Sequence, residues 1–306
     1  MVIVFGSINI DIAVNLARLP ERGETVLGHG CVISPGGKGA NQAHAARRAG
    51  ADVAMVGRVG ADAFAPPALA RMRSEGVDLS RVEESSEPTG CATIWVEEGT
   101  GASTIAVASG ANTRVTHDQV PDELLDGDTV LLLQHEVPLE ENRRLVDRAA
   151  RRGCRILLNA APAFPVPEDV LAALDVLIVN EIEIVQVAAH AGGGDEPPER
   201  LPEWLARRFG LIVAATYGEE GAVCHTGREA IRTPALPIRP VDTTGAGDTF
   251  CGVLAATLAA GRDLREAARY AAAAGSLACT RPGAQSSQPA RVEIEAAAAN
   301  LSAAAR

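Results

Sequence analysis

Aromatic residues are scarce in this chain: Phe, Trp and Tyr make up 3% of its 306 residues. There is no run of basic residues, and the formal net charge is −11. Binding to a nucleic-acid backbone or an anionic membrane rests on clustered Lys and Arg, so neither partner is expected. No charge-free apolar run approaches the length that spans a bilayer. The N-terminal "MVIVFGSINIDIAV" has no basic leader and is interrupted by Asn9 and Asp11, so it reads as a strand and not as a signal peptide. Cys31, Cys91, Cys154, Cys224, Cys251 and Cys279 form no CxxC pair and no Cys/His grouping, which removes metal-finger and redox-motif readings. The expected setting is soluble, reducing and cytoplasmic. Two phosphate-binding signatures are missing as well. "PGGKGANQA" (35–43) is not the GxxxxGK-Ser/Thr of a Walker A loop. GxGxxG spacing fails at Gly245, where the third glycine would fall on Phe250.

What remains is a chain that is 47% hydrophobic, with apolar runs alternating with helical patterns. "VIVF", "VAMVGRVG", "TVLLLQ", "CRILLN", "DVLIVN" and "LIVAATYG" are continuous Val/Ile/Leu runs of the kind buried on both faces of a parallel sheet. Between them lie helix candidates such as "KGANQAHAARRAG", "PPALARMRSEG", "LEENRRLVDRAARRG" and "PERLPEWLARRFG". This alternation predicts an α/β fold, a sheet wrapped by helices, with its site at the carboxyl ends of the strands. Asn9, Asp11, Gln134, Glu136, Asn159, Asn180 and Thr216 fall at such ends. One region breaks the rhythm. "TGCATIWVEEGTGASTIAVASGAN" (89–112) reads as two strands around a Gly-rich turn and, with "ETVLGHGCVIS" (24–34), predicts a small projecting sheet. "AGGGDEPPERLP" (191–202) reads as a loop, and "IEAAAANLSAAAR" (294–306) as a terminal helix.

Two glycine-rich turns lead into helices. In "PGGKGANQA", Lys38 and Asn41 are polar groups where a backbone can approach a polyhydroxylated ligand. Asn9 and Asp11, two residues apart, share one face of a strand, so an amide and a carboxylate can converge on neighbouring hydroxyls. "VDTTGAGDTFCGVLAATLAAG" (241–261) places Gly245, Ala246, Gly247 and Asp248 before an apolar helical run. Alone, this stretch has two readings. Asp is a common helix cap. A helix N-terminus also offers free N–H groups to an anion, with a carboxylate beside them to take a hydroxyl proton. Phosphoryl transfer needs that second combination.

Taken together, "GSINID" (6–11), "GGKGANQA" (36–43), "NEIE" (180–183) and "DTTGAGDTF" (242–250) resemble the PfkB, or ribokinase-like, carbohydrate kinases. "GAN" (110–112), "QHEVPLE" (134–140), "LNAAPA" (158–163) and "TRPGAQSSQP" (280–289) extend the resemblance nearly end to end, closest to the ribokinase branch. It implies a doubly wound, mainly parallel sheet with helices on both faces, in a single domain over 1–306. A small β lid would be formed by roughly 12–34 and 88–109, with Ala92, Ile94 and Val107 on its inner face. It also implies a homodimer clasped through that lid.

The resemblance assigns roles residue by residue. Asp248 is the base for the sugar's primary hydroxyl, and the N–H groups of Gly245, Ala246 and Gly247 form the anion hole. Asn9, Asp11, Gly37, Lys38, Asn41 and Glu136 hold the sugar. Asn180 and Glu183 organise phosphates and magnesium, the metal through water, while Thr216, Gly218 and Gly221 line the ATP site. Asp242, Thr244, Ala278, Arg281, Gly283 and Ser287 match a monovalent-cation loop suited to potassium. The sequence departs from the pattern at Ile182, Ala65 and Ala272, positions that bear on the nucleotide more than on the base. The expected activity is ATP-dependent phosphorylation of O5 of D-ribose or a close pentose. The alternatives are a nucleoside kinase acting on adenosine or pseudouridine, another sugar kinase of the family, and a non-catalytic sugar- or nucleotide-binding regulator. Scarce aromatics, with Trp95 alone in the presumed lid, weigh against a nucleobase pocket.

Overall fold

The computed structural model describes residues 1–99 and 102–304. Its strands, in chain order, are β1 (Val2–Phe5), β2 (Asn9–Leu16), β3 (Gly28–Gly36), β4 (Val53–Gly60), β5 (Asp78–Ser85), β6 (Gly90–Glu97) and β7 (Ser103–Ala108). They continue with β8 (Val130–Leu133), β9 (Arg155–Asn159), β10 (Val176–Asn180), β11 (Ile212–Thr216), β12 (Ala222–His225) and β13 (Ala230–Thr233). Nine of them form one sheet in the order β13-β12-β11-β10-β9-β8-β1-β4-β5. From β11 to β5 every pairing is parallel, and β12 and β13 add an antiparallel edge.

The continuous apolar runs follow from burial on two faces. Val2 and Val4 of β1 pack into one core cluster, whereas Ile3 and Phe5 pack into the other. The first cluster is shared with helices Lys38–Arg48, Ala65–Ser74, Ala246–Ala259 and Leu264–Ala278, and the second with helices Leu139–Arg151, Glu181–His190 and Leu201–Phe209. Each fully buried Val, Leu or Ile contributes about 1.5–3 kcal/mol, so this double layer dominates stability. Strand β5, "DLSRVEES", has an exposed, charged face at the sheet edge and carries none of the apolar run that marks the other parallel strands.

The second sheet has four strands in the order β3-β2-β6-β7. It begins at Asn9 and reaches Gly36, wider than the 12–34 expected for its first limb. Positions 100–101, at the tip of the Gly-rich turn, and 305–306, at the end of the terminal helix, lie outside the described residues. In this sheet Asp11 pairs with Ala92, Ala92 with Val107, and Ala13 with Ile94. The period of two therefore puts Ala92, Ile94 and Val107 on the face that carries Asp11. Ala92 is buried there, while Val107 is 51% exposed.

Two glycines bring the pieces into register. Gly37 has φ +87°, and a Cβ on it would lie 2.8 Å from the Asn9 nitrogen, so only glycine lets the Lys38 helix start against β2. A Cβ on Gly252 would lie 2.4 Å from the Gln42 carbonyl oxygen. Backbone contact between the Lys38–Arg48 and Ala246–Ala259 helices follows, and it sets Asn41 and Gln42 beside Asp248.

Candidate active site

The site lies where the carboxyl ends of β8 to β11 meet the N-termini of three helices. Glu136, just past β8, accepts from Ser7 Oγ (2.6 Å) and from the Lys38 backbone N–H (3.0 Å), both at the same oxygen. Asn9 Oδ1 accepts from Asn112 Nδ2 (2.7 Å), and Asn112 Oδ1 accepts from the Ile8 N–H (2.9 Å). Asn112 is thus the brace that fixes the Asn9 amide. The Asp11 carboxyl is pushed up to about 7 by burial and by the charges of Glu136 and Asp248, against Lys38. Burial works against the Lys38 ammonium, but Asp248, Glu136 and Glu183 outweigh it and the net shift is upward. Lys38 therefore keeps its charge among carboxylates that would otherwise repel one another.

Asp248 is the third residue of its helix, and it does not cap it. The N-cap is Gly245, at φ 75°, with no side-chain cap. The Asp248 carboxylate turns away from the helix end and accepts from Asn41 Nδ2 at Oδ2 (2.9 Å) and from Gln42 Nε2 at Oδ1 (2.9 Å). The cap reading of this stretch therefore fails on geometry. Ala246 N–H donates to the Thr243 carbonyl (3.2 Å), whereas the N–H groups of Gly245, Gly247 and Asp248 meet no acceptor among the described residues. No atom lies within 4 Å of where a Gly247 Cβ would stand, so the approach to those donors is open.

The N-x-x-E motif turns out to be a capping box. Asn180 Oδ1 accepts from the N–H groups of Ile182 (2.9 Å) and Glu183 (2.8 Å), and Glu183 Oε2 accepts from the Asn180 N–H (2.9 Å). This leaves the Asn180 amide NH2 and the second Glu183 oxygen for other partners. Burial raises the Glu183 carboxyl, partly offset by the Asn180 N–H and by Lys38. Lys38, Asn180, Glu183, Gly247 and Asp248 line a cavity of about 160 Å³. It adjoins a larger one of about 560 Å³, which shares Thr216 and Gly247 with it and is bounded by Gly218, Gly221, Ile238 and Ala272. The small polar cavity suits phosphates, and the larger, mainly apolar one suits a flat base.

Beyond the helix start, Asp242 ties two loops together. Its Oδ1 accepts from the Thr244 N–H (2.9 Å) and its Oδ2 from the Gly283 N–H (2.7 Å). Burial opposes its ionisation, yet those hydrogen bonds win and hold the carboxyl below its usual range. The Arg281 guanidinium pairs with Glu293, and Ser287 Oγ donates to the Ala284 carbonyl (2.9 Å). Arg281 can thus offer a cation only its carbonyl. The remaining donors are carbonyl and carboxylate oxygens, the ligand type that hard cations take. Among the described residues no group of three or more His, Cys, Asp or Glu could hold a metal, so a magnesium ion would depend on nucleotide phosphates for most of its ligands.

A match to the model of the pfkB family carbohydrate kinases runs over residues 1–291. The chain belongs to the pfkB carbohydrate kinase family. It is 35% identical to a ribokinase of Bacillus subtilis over 95% of this chain and 97% of that protein. The crystal structure of ribokinase from Thermotoga maritima superposes with a TM-score of 0.89 at 32% identity, covering 97% of this chain and 98% of that one. A ribokinase of Arabidopsis thaliana complexed with ribose and ATP gives 0.86 at 30%, with the same coverage. The protein is accordingly a phosphotransferase of the carbohydrate kinase type with the ribokinase fold.

Of the residues expected to hold sugar, phosphates and nucleotide, Lys38, Asn180, Glu183, Thr216, Gly218, Gly221, Gly245, Ala246, Gly247 and Asp248 line the two cavities, whereas Asn9, Asp11, Gly37, Asn41 and Glu136 line neither. Asn41 is joined to that set through Asp248, and Glu136 through the Lys38 N–H. Of the supporting amides, Gln134 stands among the strand-end positions the sequence marks, without a role, and Gln42, Asn112 and Gln285 are not marked individually. All four lie inside the quoted motifs, but nothing in a linear pattern says that an amide there is buried.

Proposed function

We propose that this kinase transfers the γ-phosphoryl group of ATP to O5, the primary hydroxyl, of D-ribose or a closely related pentose. The observation that carries the reading is the setting of Asp248. A carboxylate held by two amides stands at the open N-terminus of a helix, between a polar wall and a nucleotide-sized cavity. Three of the relatives above are ribokinases, and one is complexed with ribose and ATP, which supports ribose as the acceptor.

In this reading Asn9, Asp11, Gly37, Lys38, Asn41 and Glu136 hold the sugar hydroxyls and turn O5 toward Asp248. An Asp248 oxygen takes the hydroxyl proton as O5 attacks the γ-phosphorus. The bond from that phosphorus to the β–γ bridging oxygen breaks, and its electron pair leaves with ADP. The free N–H groups at Gly245, Gly247 and Asp248 stabilise charge on the transferring group, with Ala246 contributing little because its N–H is already engaged. Thr216, Gly218 and Gly221 line the nucleotide side. The Asn180 amide and the second Glu183 oxygen would serve phosphates and water-bound magnesium, whose chemistry is to offset phosphate charge. Asp242 with carbonyls of the Thr244, Ala278, Arg281 and Gly283 region, near Ser287, would hold potassium and order the loop beside the anion hole.

We read the chain as one domain with a lid, and its lid as the contact of a homodimer. Val32, Ile33, Trp95 and Ile105 are exposed apolar side chains on that small sheet. No helix among the described residues is long and apolar enough to cross a membrane, and a cytoplasmic site of action agrees with that. The test is ATP turnover on ribose, deoxyribose, fructose, adenosine and pseudouridine. Fast turnover on ribose is expected; turnover on a nucleoside with none on ribose would overturn the substrate, and binding without turnover on any would favour a regulator. Replacing potassium by sodium at constant ionic strength should lower kcat or raise KM, and no change in either removes the cation role.

A further inference from the structure

We propose that Gln42 is a positioning residue for Asp248, aiming its carboxylate at the hydroxyl that is phosphorylated. The proposal rests on the reading of Asp248 as the base. Gln42 is fully buried at 0% exposure, so it reaches no substrate and acts only through its neighbours. Its Nε2 donates to Asp248 Oδ1 (2.9 Å) and to Asn159 Oδ1 (3.0 Å), while its Oε1 accepts from Gln134 Nε2 (2.8 Å). Only one orientation of the amide satisfies all three contacts. Rotated by half a turn, it would set its oxygen against the Asp248 and Asn159 oxygens, and its NH2 against that of Gln134.

Gln134 is the lock. It directs its NH2 at Gln42 although its own Oε1 finds no partner among the described residues. That oxygen stands where a Cβ on Gly6 would be, 1.9 Å away, so the glycine makes room for it. A second arm reaches the other oxygen: Gln285 Nε2 donates to Asn41 Oδ1 (3.1 Å), which turns the Asn41 NH2 to Asp248 Oδ2. The terminal torsion of an Asp side chain is broad and soft, so two fixed donors are what hold its plane. Each oxygen keeps a lone pair for the incoming proton.

The test compares Gln42→Met, Gln134→Met and Asp248→Asn in the full chain, with ribose and ATP as substrates, by kcat, both KM values and the melting temperature. Misplacing a reacting group by about an ångström can cost on the order of 10²-fold, so Gln42→Met should lower kcat by about 10–100-fold. Both KM values should stay within about twofold, because the buried Gln42 touches neither substrate. Gln134→Met, which removes only the lock, should lower kcat by less, again with both KM values held. A folded Gln42→Met enzyme with wild-type kcat overturns the proposal, as does a loss carried by KM with kcat unchanged. Should Gln42→Met not fold, an unchanged kcat in Gln134→Met overturns it. Asp248→Asn separates the two readings. If that variant keeps most of its activity, the base assignment itself has failed; if it is inactive while both glutamine variants are normal, only the positioning role has.

Discussion

The two sheets of this molecule build one site from walls of opposite character. The central strands of the nine-stranded sheet are buried on both faces, and their carboxyl ends deliver Glu136, Asn159, Asn180 and Thr216 from positions that cannot shift without disturbing the core. In the four-stranded sheet β7 is exposed along its whole length, and β3 along its first six residues. A small sheet with so little apolar cover is marginal on its own. Yet it carries Asp11, whose carboxyl lies within electrostatic reach of Glu136, Asp248 and Lys38. On the proposed function, the chemistry belongs to the rigid wall, while part of the sugar's binding comes from the wall with the least apolar cover.

Substitutions on each wall sharpen this contrast. On the rigid side, Asp248→Asn should cut kcat by about 10²–10⁴-fold, the usual contribution of a general base, and leave the melting temperature and ATP binding nearly unchanged. On the lid side, Asp11→Asn should act on KM. Losing hydrogen bonds to a charged acceptor costs about 1.5–3 kcal/mol, or roughly 10–100-fold in KM for ribose, with a smaller effect on kcat. The same residue gives a pH signature. Because its folded-state value lies near 7 and its ordinary value is 3.8, the folded protein binds more protons than the unfolded chain between those limits. The stability supplied by that proton is fully present below about pH 4 and is lost as pH rises through 7. Denaturant melts of Asp11→Asn should therefore be the more stable at pH 8, with the difference shrinking as pH falls toward 4.

The contact between the Lys38 and Asp248 helices offers a third probe. Gly252→Ala forces a methyl against the Gln42 carbonyl and should destabilise the fold by about 1–3 kcal/mol in urea melts, with kcat falling as the helices part. The smallest effect on monomer stability is expected from Val32→Ser with Trp95→Ser. Exposed substitutions usually stay within about 0.5 kcal/mol, but this pair should shift sedimentation from dimer to monomer. Unchanged sedimentation would detach the lid from any dimer.

Much of this was legible beforehand, and the failures have physical causes. Strands β1, β4, β8, β9, β10 and β11 announce themselves because burial on both faces leaves no room for polar residues. Strand β5 escaped because an edge strand with a solvated face carries Arg81, Glu83 and Glu84. The "GGKGAN" and "GAGD" turns were readable because glycine and a charged residue in a tight turn are costly unless used. The capping role within "NEIE" and the turning of Arg281 toward Glu293 were not, since each depends on which way a side chain rotates. Gln42 and Gln134 are the clearest case. As letters they are two polar residues 92 apart; as a hydrogen-bonded pair they fix the amide that meets Asp248.

By itself the sequence determined the parallel sheet and the two glycine-rich helix starts, because apolar periodicity and backbone freedom are local properties of the chain; the family was legible separately, as a resemblance of its motifs. The sequence also put Asp248 next to a helix N-terminus. Only the tertiary structure decided that this aspartate is a held carboxylate and not a cap, because the two amides that claim it come from a helix some 200 positions earlier in the chain. Buried polar side chains must find partners wherever the fold brings them, and which partner that is depends on packing that no linear motif contains.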